Sequence, residues 1–258
     1  MAITLRSSRE IELLRKAGSV VAEVLSKVQD IAKSGTSTSR LDELAAEITA
    51  AAGGRALFKG VESPYAKRPF PGNICASINE QVVHGIPSPK TRLKDGDILS
   101  IDYGIKLAGY CGDATVTFGI GRISSARQRL IDVTKRLLDI AIANSAPGVK
   151  WSRIAGRMET CAKRAGFSIV KDFVGHGIGR QMHEDPKIPN FVSEELVKND
   201  IILREGMILA VEPMVNMGTG SVRTLRDGWT VVTKDGKCSA HFEHTIAIVK
   251  SGCEVLTA

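Results

Sequence analysis

Acidic side chains interrupt the most apolar segments of this chain. Asp102 and Asp113 lie in ILSIDYGIKLAGYCGDATVTF, Glu212 lies in GMILAVEPMV, and Glu243 lies in SAHFEHTIAIV. A carboxylate buried in such a strand destabilises the fold strongly unless a cation neutralises it. No Lys or Arg occupies a matching interior position beside any of the four. The simplest neutraliser for several such groups is a pair of divalent cations.

A histidine extends this set. His176 lies between two glycines in FVGHGIGRQMHEDP, and we expect the glycines to let the backbone approach a ligand closely. Oxygen ligands with one imidazole suit Mn, Fe, Co or Zn in an open site, rather than a closed structural zinc. Two close ions can activate water, so the residues predict a dinuclear metallohydrolase. The predicted ligands are Asp102, Asp113, His176, Glu212 and Glu243.

The two aspartates lie on one predicted hairpin. Side chains alternate between faces along a strand, so a turn near residues 107–109 would place Asp102 and Asp113 on the same side. Facing carboxylates repel, and a divalent cation between them removes that repulsion. The alternative at this point is a surface hairpin with two solvated aspartates.

Composition limits the other functions that this chain can have. The formal net charge of +7 favours weak attraction to polyanions such as RNA, but no long Lys/Arg run is present and aromatics are only 5%. We therefore expect no sequence-specific nucleic-acid binding. Five scattered cysteines without a C-x-x-C pair indicate a reducing compartment. No signal core or bilayer-spanning segment is apparent, which predicts a cytoplasmic protein with no membrane partner.

Periodicity and turn signals predict an α+β fold. Helices are expected from the capping box Ser7-x-x-Glu10, from Ser39-x-x-Asp42, over residues 125–144, and from near Ser152. Strands are predicted at residues 74–78, 98–103, 115–118, 167–170, 208–212, 230–233 and 242–249. Hairpin-linked strands with paired helices favour a mostly antiparallel sheet with the helices on one face.

The helical segments look duplicated. A shift of 113 positions aligns Gly35 with Gly148, Ser39 with Ser152, and Leu41 with Ile154. No low-complexity linker divides the chain. We therefore predict a single catalytic domain over residues 1–258, with pseudo-twofold halves of about 1–120 and 121–258.

Six segments together resemble one protein family. They are ICASINEQVVHGIP, ILSIDYGIKLAGYCGDATVTF, VGHGIGRQMHEDP, ILAVEPMVN, RDGWT and HFEHT. Their order and spacing resemble type I methionine aminopeptidases, in the short form typical of bacteria, over nearly all of the chain. The resemblance implies the pita-bread fold of prolidases and creatinase, with two pseudosymmetric helix pairs on one face of an antiparallel sheet. It also implies an enzyme of the EC 3.4.11 class that removes initiator methionine from nascent proteins when the second residue is small.

The resemblance also implies roles for individual residues. Asp113 and Glu243 match the ligands that bridge two divalent ions (Co, Mn, Fe or Zn), and Glu212 matches a ligand that also shuttles protons. His84 matches a residue at the substrate's amino group and scissile region, and His183 one at the scissile carbonyl. The expected walls of the methionine pocket are Phe70, Cys75, Met182 and Trp229.

Departures from the family pattern bear on the shape of this pocket. Residues 58–73 look about five residues longer than the common bacterial pattern, which puts the match of Tyr65 with a pocket tyrosine in question. Cys111 replaces a histidine that often precedes Gly-Asp, and Met182 stands where an aromatic side chain is common. The metal ligands are unaffected.

Other functions remain open from the sequence alone. A prolidase or aminopeptidase P would use the same ligands, although such proteins usually carry an extra N-terminal domain. A catalytically dead relative would act as a binding module. We expect a monomer that acts on nascent polypeptides, including its own Met1-Ala2 start, with a weak electrostatic ribosome contact. The basic candidates for that contact are Arg223, Arg226, Lys234 and Lys237.

Overall fold

A nine-stranded antiparallel sheet forms the centre of this computed structural model, which describes residues 3–258. The helices are α1 (Ser8–Ile31), α2 (Thr38–Ala51), α3 (Ser125–Asn144), α4 (Trp151–Arg164) and α5 (Glu194–Lys198). The strands are β1 (Arg55–Ala56), β2 (Cys75–Ile78), β3 (Gln81–Val83), β4 (Ile98–Leu107), β5 (Tyr110–Gly119), β6 (Ser168–Ile169), β7 (Gly175–Gly177), β8 (Glu184–Ile188), β9 (Ile208–Val211), β10 (Met214–Asn216), β11 (Val222–Thr224), β12 (Val231–Thr233), β13 (Ser239–His241), β14 (Glu243–Val249) and β15 (Gly252–Val255). The large sheet runs β1-β4-β5-β14-β9-β7-β8, with β2 beside β4 and β15 beside β14.

The helix predictions are confirmed, with one error in capping. At α1, the Ser7 hydroxyl accepts the Glu10 amide and the Glu10 carboxylate accepts the Ser7 amide at 3.0 Å, which completes the capping box. The α2 cap is Ser37 rather than Ser39. Asp42, the other half of the predicted signal, instead accepts the backbone amide of Asn73 at 2.6 Å. The helix begins earlier because Asp42 does not cap it and instead binds the backbone just before β2.

The predicted hairpin turns where expected. Leu107 pairs with Tyr110, and the two intervening residues, Ala108 and Gly109, have positive φ angles of 49° and 86°. Two consecutive positive φ angles match the twist of the flanking strands, so the turn continues both without a bulge. As a result β4 and β5 are longer than the predicted segments, with Asp102 opposite Thr115 and Asp113 opposite Gly104.

The sheet has two different faces. Its helix face packs against α1 over β4 and β5, against α2 at β1, and against α3 over β14 and β15. Tyr103 and Ala114 belong to this face, in a predominantly apolar core with α1. Because side chains alternate, the neighbouring Asp102 and Asp113 point to the opposite face, which carries the candidate site.

The two helix pairs occupy equivalent positions along the chain. The bounds of α4 lie 113 residues after those of α2, and those of β6 lie 113 residues after those of β1. The division of the chain into two halves stays a prediction. Within residues 3–258, no helix is long and apolar enough to cross a membrane. Met1 and Ala2, and with them the prediction about the chain's own initiator methionine, lie outside the described residues.

Candidate metal centre

A cavity of about 340 Å³ opens on the face of the sheet that the helices leave uncovered. All eleven predicted site residues line it. They are Asp102, Asp113, His176, Glu212, Glu243, His84, His183, Phe70, Cys75, Met182 and Trp229. The structure therefore brings together residues that are up to 173 positions apart in the chain.

Adjacent strands place the carboxylates side by side. Gly104 lies opposite Asp113 on β4, and a Cβ there would lie only 3.0 Å from an Asp113 carboxylate oxygen. The glycine thus makes room for this acid beside Asp102. Glu243 begins β14 directly opposite Thr115, whose hydroxyl donates to its carboxylate at 3.0 Å.

Three carboxylate oxygens in this cluster have no hydrogen-bond partner. They are Asp102 Oδ1, Asp113 Oδ1 and Glu243 Oε1, and all are buried. Ligand atoms of Asp113, His176 and Glu243 lie within 4.8 Å of one another. Buried polar atoms normally have a partner, so these orphaned oxygens fit a site that binds a cation.

The orientation of His176 suits a ligand. Its Nδ1 lies 2.9 Å from the carbonyl oxygen of Gly177, so Nδ1 carries the proton and Nε2 keeps a free lone pair. That Nε2 lies 3.5 Å from a Glu212 carboxylate oxygen. Burial lowers the pKa of His176 to about 4, so the ring is neutral and this contact is not an ion pair.

The glycines around His176 have another purpose than the one predicted. A side chain at Gly175 would overlap the carbonyl oxygen of Ala210, and one at Gly177 would overlap that of Asp185. The close approach is therefore to neighbouring backbone rather than to a ligand. The glycines allow β7 to fit against β8 and β9, and this packing holds His176 in place.

The carboxylates raise one another's pKa. Burial raises the pKa of Asp102 to about 7, and it raises those of Asp113, Glu212 and Glu243 well above their ordinary values. Repulsion from the neighbouring acids adds to burial in the last three. No Lys or Arg is among the described residues that line the cavity. The donor set fits a divalent cation, which would neutralise these acids.

Two further histidines lie beside the acids. The ring centres of His176 and His183 are 4.4 Å apart, and His84 packs edge-on against Phe173 at 5.7 Å. Burial lowers the pKa of His84 to about 4 and also lowers that of His183. His84 has a φ of 58°, a conformation that is costly outside glycine and frequent at functional sites. Both side chains are neutral hydrogen-bonding groups near pH 7.

Apolar side chains form another part of the cavity wall. Phe70 and Trp229 pack edge to face at 5.3 Å, and Cys75 and Met182 line the same space. The Trp229 indole donates to the carbonyl of Arg68 at 3.0 Å, which ties residues 58–73 to this wall. Tyr65, at the tip of that segment, is 84% exposed and lines no part of the cavity. The doubt about its pocket role was justified.

His241 is a site residue to which the sequence assigned no role. Its Nε2 is buried without a hydrogen-bond partner and lies 3.9 Å from a Glu212 carboxylate oxygen. Burial lowers its pKa to about 3, so the ring is neutral. Its position two residues before Glu243 is the one available signal, because residues i and i+2 of an extended chain share a face.

Comparisons with known proteins agree with this geometry. The profile of metallopeptidase family M24 matches residues 12–250. A methionine aminopeptidase from Clostridium perfringens is 44% identical over 255 residues, covering 99% of this chain and 98% of its own. The crystal structure of a methionine aminopeptidase from Thermotoga maritima superposes with a TM-score of 0.93 at 38% identity, covering 99% of both chains. A prolidase from Pyrococcus horikoshii shares the fold, with a TM-score of 0.74 at 19% identity over 98% of this chain and 63% of its own.

Proposed function

The chain belongs to metallopeptidase family M24, and within it to the methionine aminopeptidases, and on that premise we propose that it removes N-terminal methionine from nascent proteins whose second residue is small. The observation that most supports this is the composition of one cavity, which combines unneutralised acids with an apolar, sulfur-containing wall. The acids fit a hydrolytic metal centre, and the wall fits a thioether side chain.

We propose that the site holds two divalent ions. The residues that would hold them are Asp102, Asp113, His176, Glu212 and Glu243, and ligand atoms of Asp113, His176 and Glu243 lie within 4.8 Å of one another. When bound, such ions lower the pKa of a water and polarise a peptide carbonyl. Manganese, iron, cobalt and zinc all suit this donor set.

The chain's own groups would position the peptide and move its protons. Glu212, whose pKa burial raises well above the ordinary value, would accept the proton of the attacking water. His183 would donate a hydrogen bond to the scissile carbonyl oxygen, where negative charge develops. His84 would contact the terminal amine and the leaving nitrogen. The wall of Phe70, Cys75, Met182 and Trp229 would hold the methionine side chain.

The size of the cavity supports the proposed preference for a small second residue. About 340 Å³ is near the lower end of the range of about 300–1,000 Å³ for ligand pockets. One side chain enters such a space, and the residue after it must fit against the walls at the entrance. Phe58 and Val61, from the long segment 58–73, line that space as well.

Hydrolysis of matched tripeptides tests the proposal. The full chain is stripped of metal, reconstituted with Mn²⁺ or Co²⁺, and given Met-Ala-Ser, Met-Lys-Ser or the dipeptide Ala-Pro. We expect release of methionine from Met-Ala-Ser alone, and none from an Asp113→Ala variant. Turnover of Ala-Pro would instead indicate a prolidase. Inactivity with every metal would indicate a binding module.

The remaining partner predictions belong to the same proposal. A cytoplasmic location and a monomeric state would suit an enzyme acting on emerging chains. The candidates for a weak ribosome contact, Arg223, Arg226, Lys234 and Lys237, are all exposed around the Trp229 hairpins. Co-sedimentation with ribosomes should decline as salt is raised, and insensitivity to salt would contradict an electrostatic contact.

A further inference from the structure

The two helix pairs differ in charge. Together α3 and α4 carry eight Arg and Lys against three Asp and Glu, whereas α1 and α2 carry five against seven. Both pairs pack against the sheet through apolar stripes. The fold therefore does not require the excess of positive charge on the second pair.

A groove between α3 and α4 concentrates this charge. Its volume is about 770 Å³, and four exposed arginines line it without any acidic residue. They are Arg136 on α3 and Arg153, Arg157 and Arg164 on α4. The acids of these two helices are engaged elsewhere: Glu159 pairs with Lys171, Asp139 with Lys135, and Asp132 with Gln128.

The equivalent arginine of the first helix pair has the acidic partners that the groove arginines lack. On α2, Arg40 pairs with Glu43 at 3.4 Å and with Glu47 at 3.1 Å. A shift of 113 residues leads from Arg40 to Arg153, but from the two glutamates to Gly156 and Thr160.

The groove arginines have no acidic partner within the described part of the chain. Arg136, Arg153 and Arg164 form no ion pair there, and Arg157 bonds only to the neutral amide oxygen of Asn144. Four guanidinium groups without counter-charges in one groove are arranged for an external anion.

We propose that this groove binds the phosphate backbone of RNA. The three α4 arginines span twelve residues, or about 16 Å of helix, a length over which one nucleic-acid strand presents several phosphates. Arginine suits this partner because its planar fork donates to phosphate oxygens in pairs. Contacts to phosphate carry no sequence information, which agrees with the low aromatic content of the chain.

The groove favours RNA over an anionic membrane. Helices that lie in a lipid interface expose large apolar side chains beside their basic ones. The exposed large hydrophobic residues of the described chain are Leu5, Val61, Tyr65, Val192, Val197 and Ile202, and none belongs to α3 or α4. The groove also shares no lining residue with the metal-site cavity. Occupying it should leave peptide hydrolysis intact.

Matched charge variants test the proposal. One triple variant, Arg153→Gln/Arg157→Gln/Arg164→Gln, removes three charges from the groove. The other, Lys16→Gln/Lys27→Gln/Arg40→Gln, removes three exposed charges from α1 and α2. Binding of a fluorescein-labelled RNA hairpin is followed by anisotropy over a series of salt concentrations. Thermal melting and Met-Ala-Ser hydrolysis verify that each protein is folded.

We expect the wild-type affinity to fall with a log–log salt slope of about −3, as four phosphate contacts would give. The groove variant should bind at least about tenfold more weakly with a flatter slope, and the other variant within about twofold of wild type. An absence of binding at low salt, or equal losses in both variants, would overturn the proposal. So would an arginine-dependent preference for phosphatidylserine vesicles over RNA.

A measurement on the unaltered chain complements the variants. Cys161 lies in the groove and is partly exposed, so maleimide can report on its accessibility. The RNA hairpin should slow alkylation of Cys161 at least severalfold at low salt, as located by peptide mass spectrometry. An unchanged rate with RNA bound would place the RNA elsewhere and refute the assignment.

Discussion

The two faces of the β4–β5 hairpin treat polar groups in opposite ways. On the helix face, the buried Tyr103 hydroxyl donates to Thr49 at 2.6 Å, and the Thr49 hydroxyl in turn donates to the carbonyl of Ala45. On the open face, one residue away, Asp102 and Asp113 hold oxygens with no partner. Complete pairing on one face stabilises the sheet. The unpaired oxygens on the other face fit a bound cation, so the two faces serve different purposes: one stabilises the fold and the other carries the candidate site.

The largest expected effect comes from removing one acid from the open face. In Asp113→Asn, we expect activity to fall roughly a thousandfold or more because a proposed metal ligand is lost. The metal-free protein should nevertheless become more stable, since the repulsion among Asp102, Asp113 and Glu243 is relieved. Metal-dependent hydrolysis and urea unfolding in chelator measure the two effects.

Asp97 provides the matched control for this substitution. It lies just before β4 and uses both carboxylate oxygens, accepting from the Asn79 amide at 2.8 Å and from the Lys94 backbone at 2.8 Å. Asp97→Asn should therefore lower stability and leave activity per folded molecule near wild type. If Asp113→Asn lowered metal-free stability in the same way, the acids would be satisfied after all.

The pH dependence of metal binding tests the unpaired acids of the open face in a second way. The pKa of Asp102 is raised from 3.8 to about 7, chiefly by burial. Its contribution to the stability of the metal-free fold is therefore fully present below about pH 4, and it is lost as the pH rises from there through about 7. A metal must displace that proton, so its affinity should rise about a hundredfold or more between about pH 5 and about pH 7. Calorimetric titration with Mn²⁺ measures this, and a flat profile would contradict it.

The acids could be predicted from the sequence because each is a local exception to an apolar strand. Asp102 and Glu243 stand where burial is otherwise continuous, and the turn at residues 107–109 fixes how Asp113 faces Asp102. Both signals can be recognised within one segment or one hairpin, without knowledge of the tertiary fold. Full-length motif order then supplied the roles of His84 and His183 and the apolar wall.

Other features depend on tertiary contacts and could not be predicted. The strands β1 and β7 are only two or three residues long, and they exist because a longer neighbour pairs with them. The choice of Ser37 over Ser39 as a cap follows from the engagement of Asp42 with the distant Asn73. The sequence around His241 does not indicate whether its side chain lines the cavity or packs in the core.

Shortening a side chain on the helix face should lower stability and leave activity unchanged. Leu99 is fully buried on β4 in the core beneath α1 and α2. Leu99→Ala should lower the free energy of unfolding by about 2–3 kcal/mol through lost contacts and a residual cavity. Activity per folded molecule should stay within about twofold, because the site lies on the other side of the strand. A large loss of activity in the folded protein would show that the two faces are coupled.

The smallest effects come from deleting a single hydroxyl on each face. Tyr103→Phe removes one hydrogen bond but leaves the Thr49 hydroxyl bonded to Ala45, so we expect a cost of about 1 kcal/mol in urea unfolding and no change in metal affinity. Thr115→Val removes the one donor bonded to Glu243. Its effect should appear in metal titration, as a severalfold change in affinity, more than in stability. If both variants changed stability alone, the open face would be as fully paired as the helix face, and a cation would not be needed there.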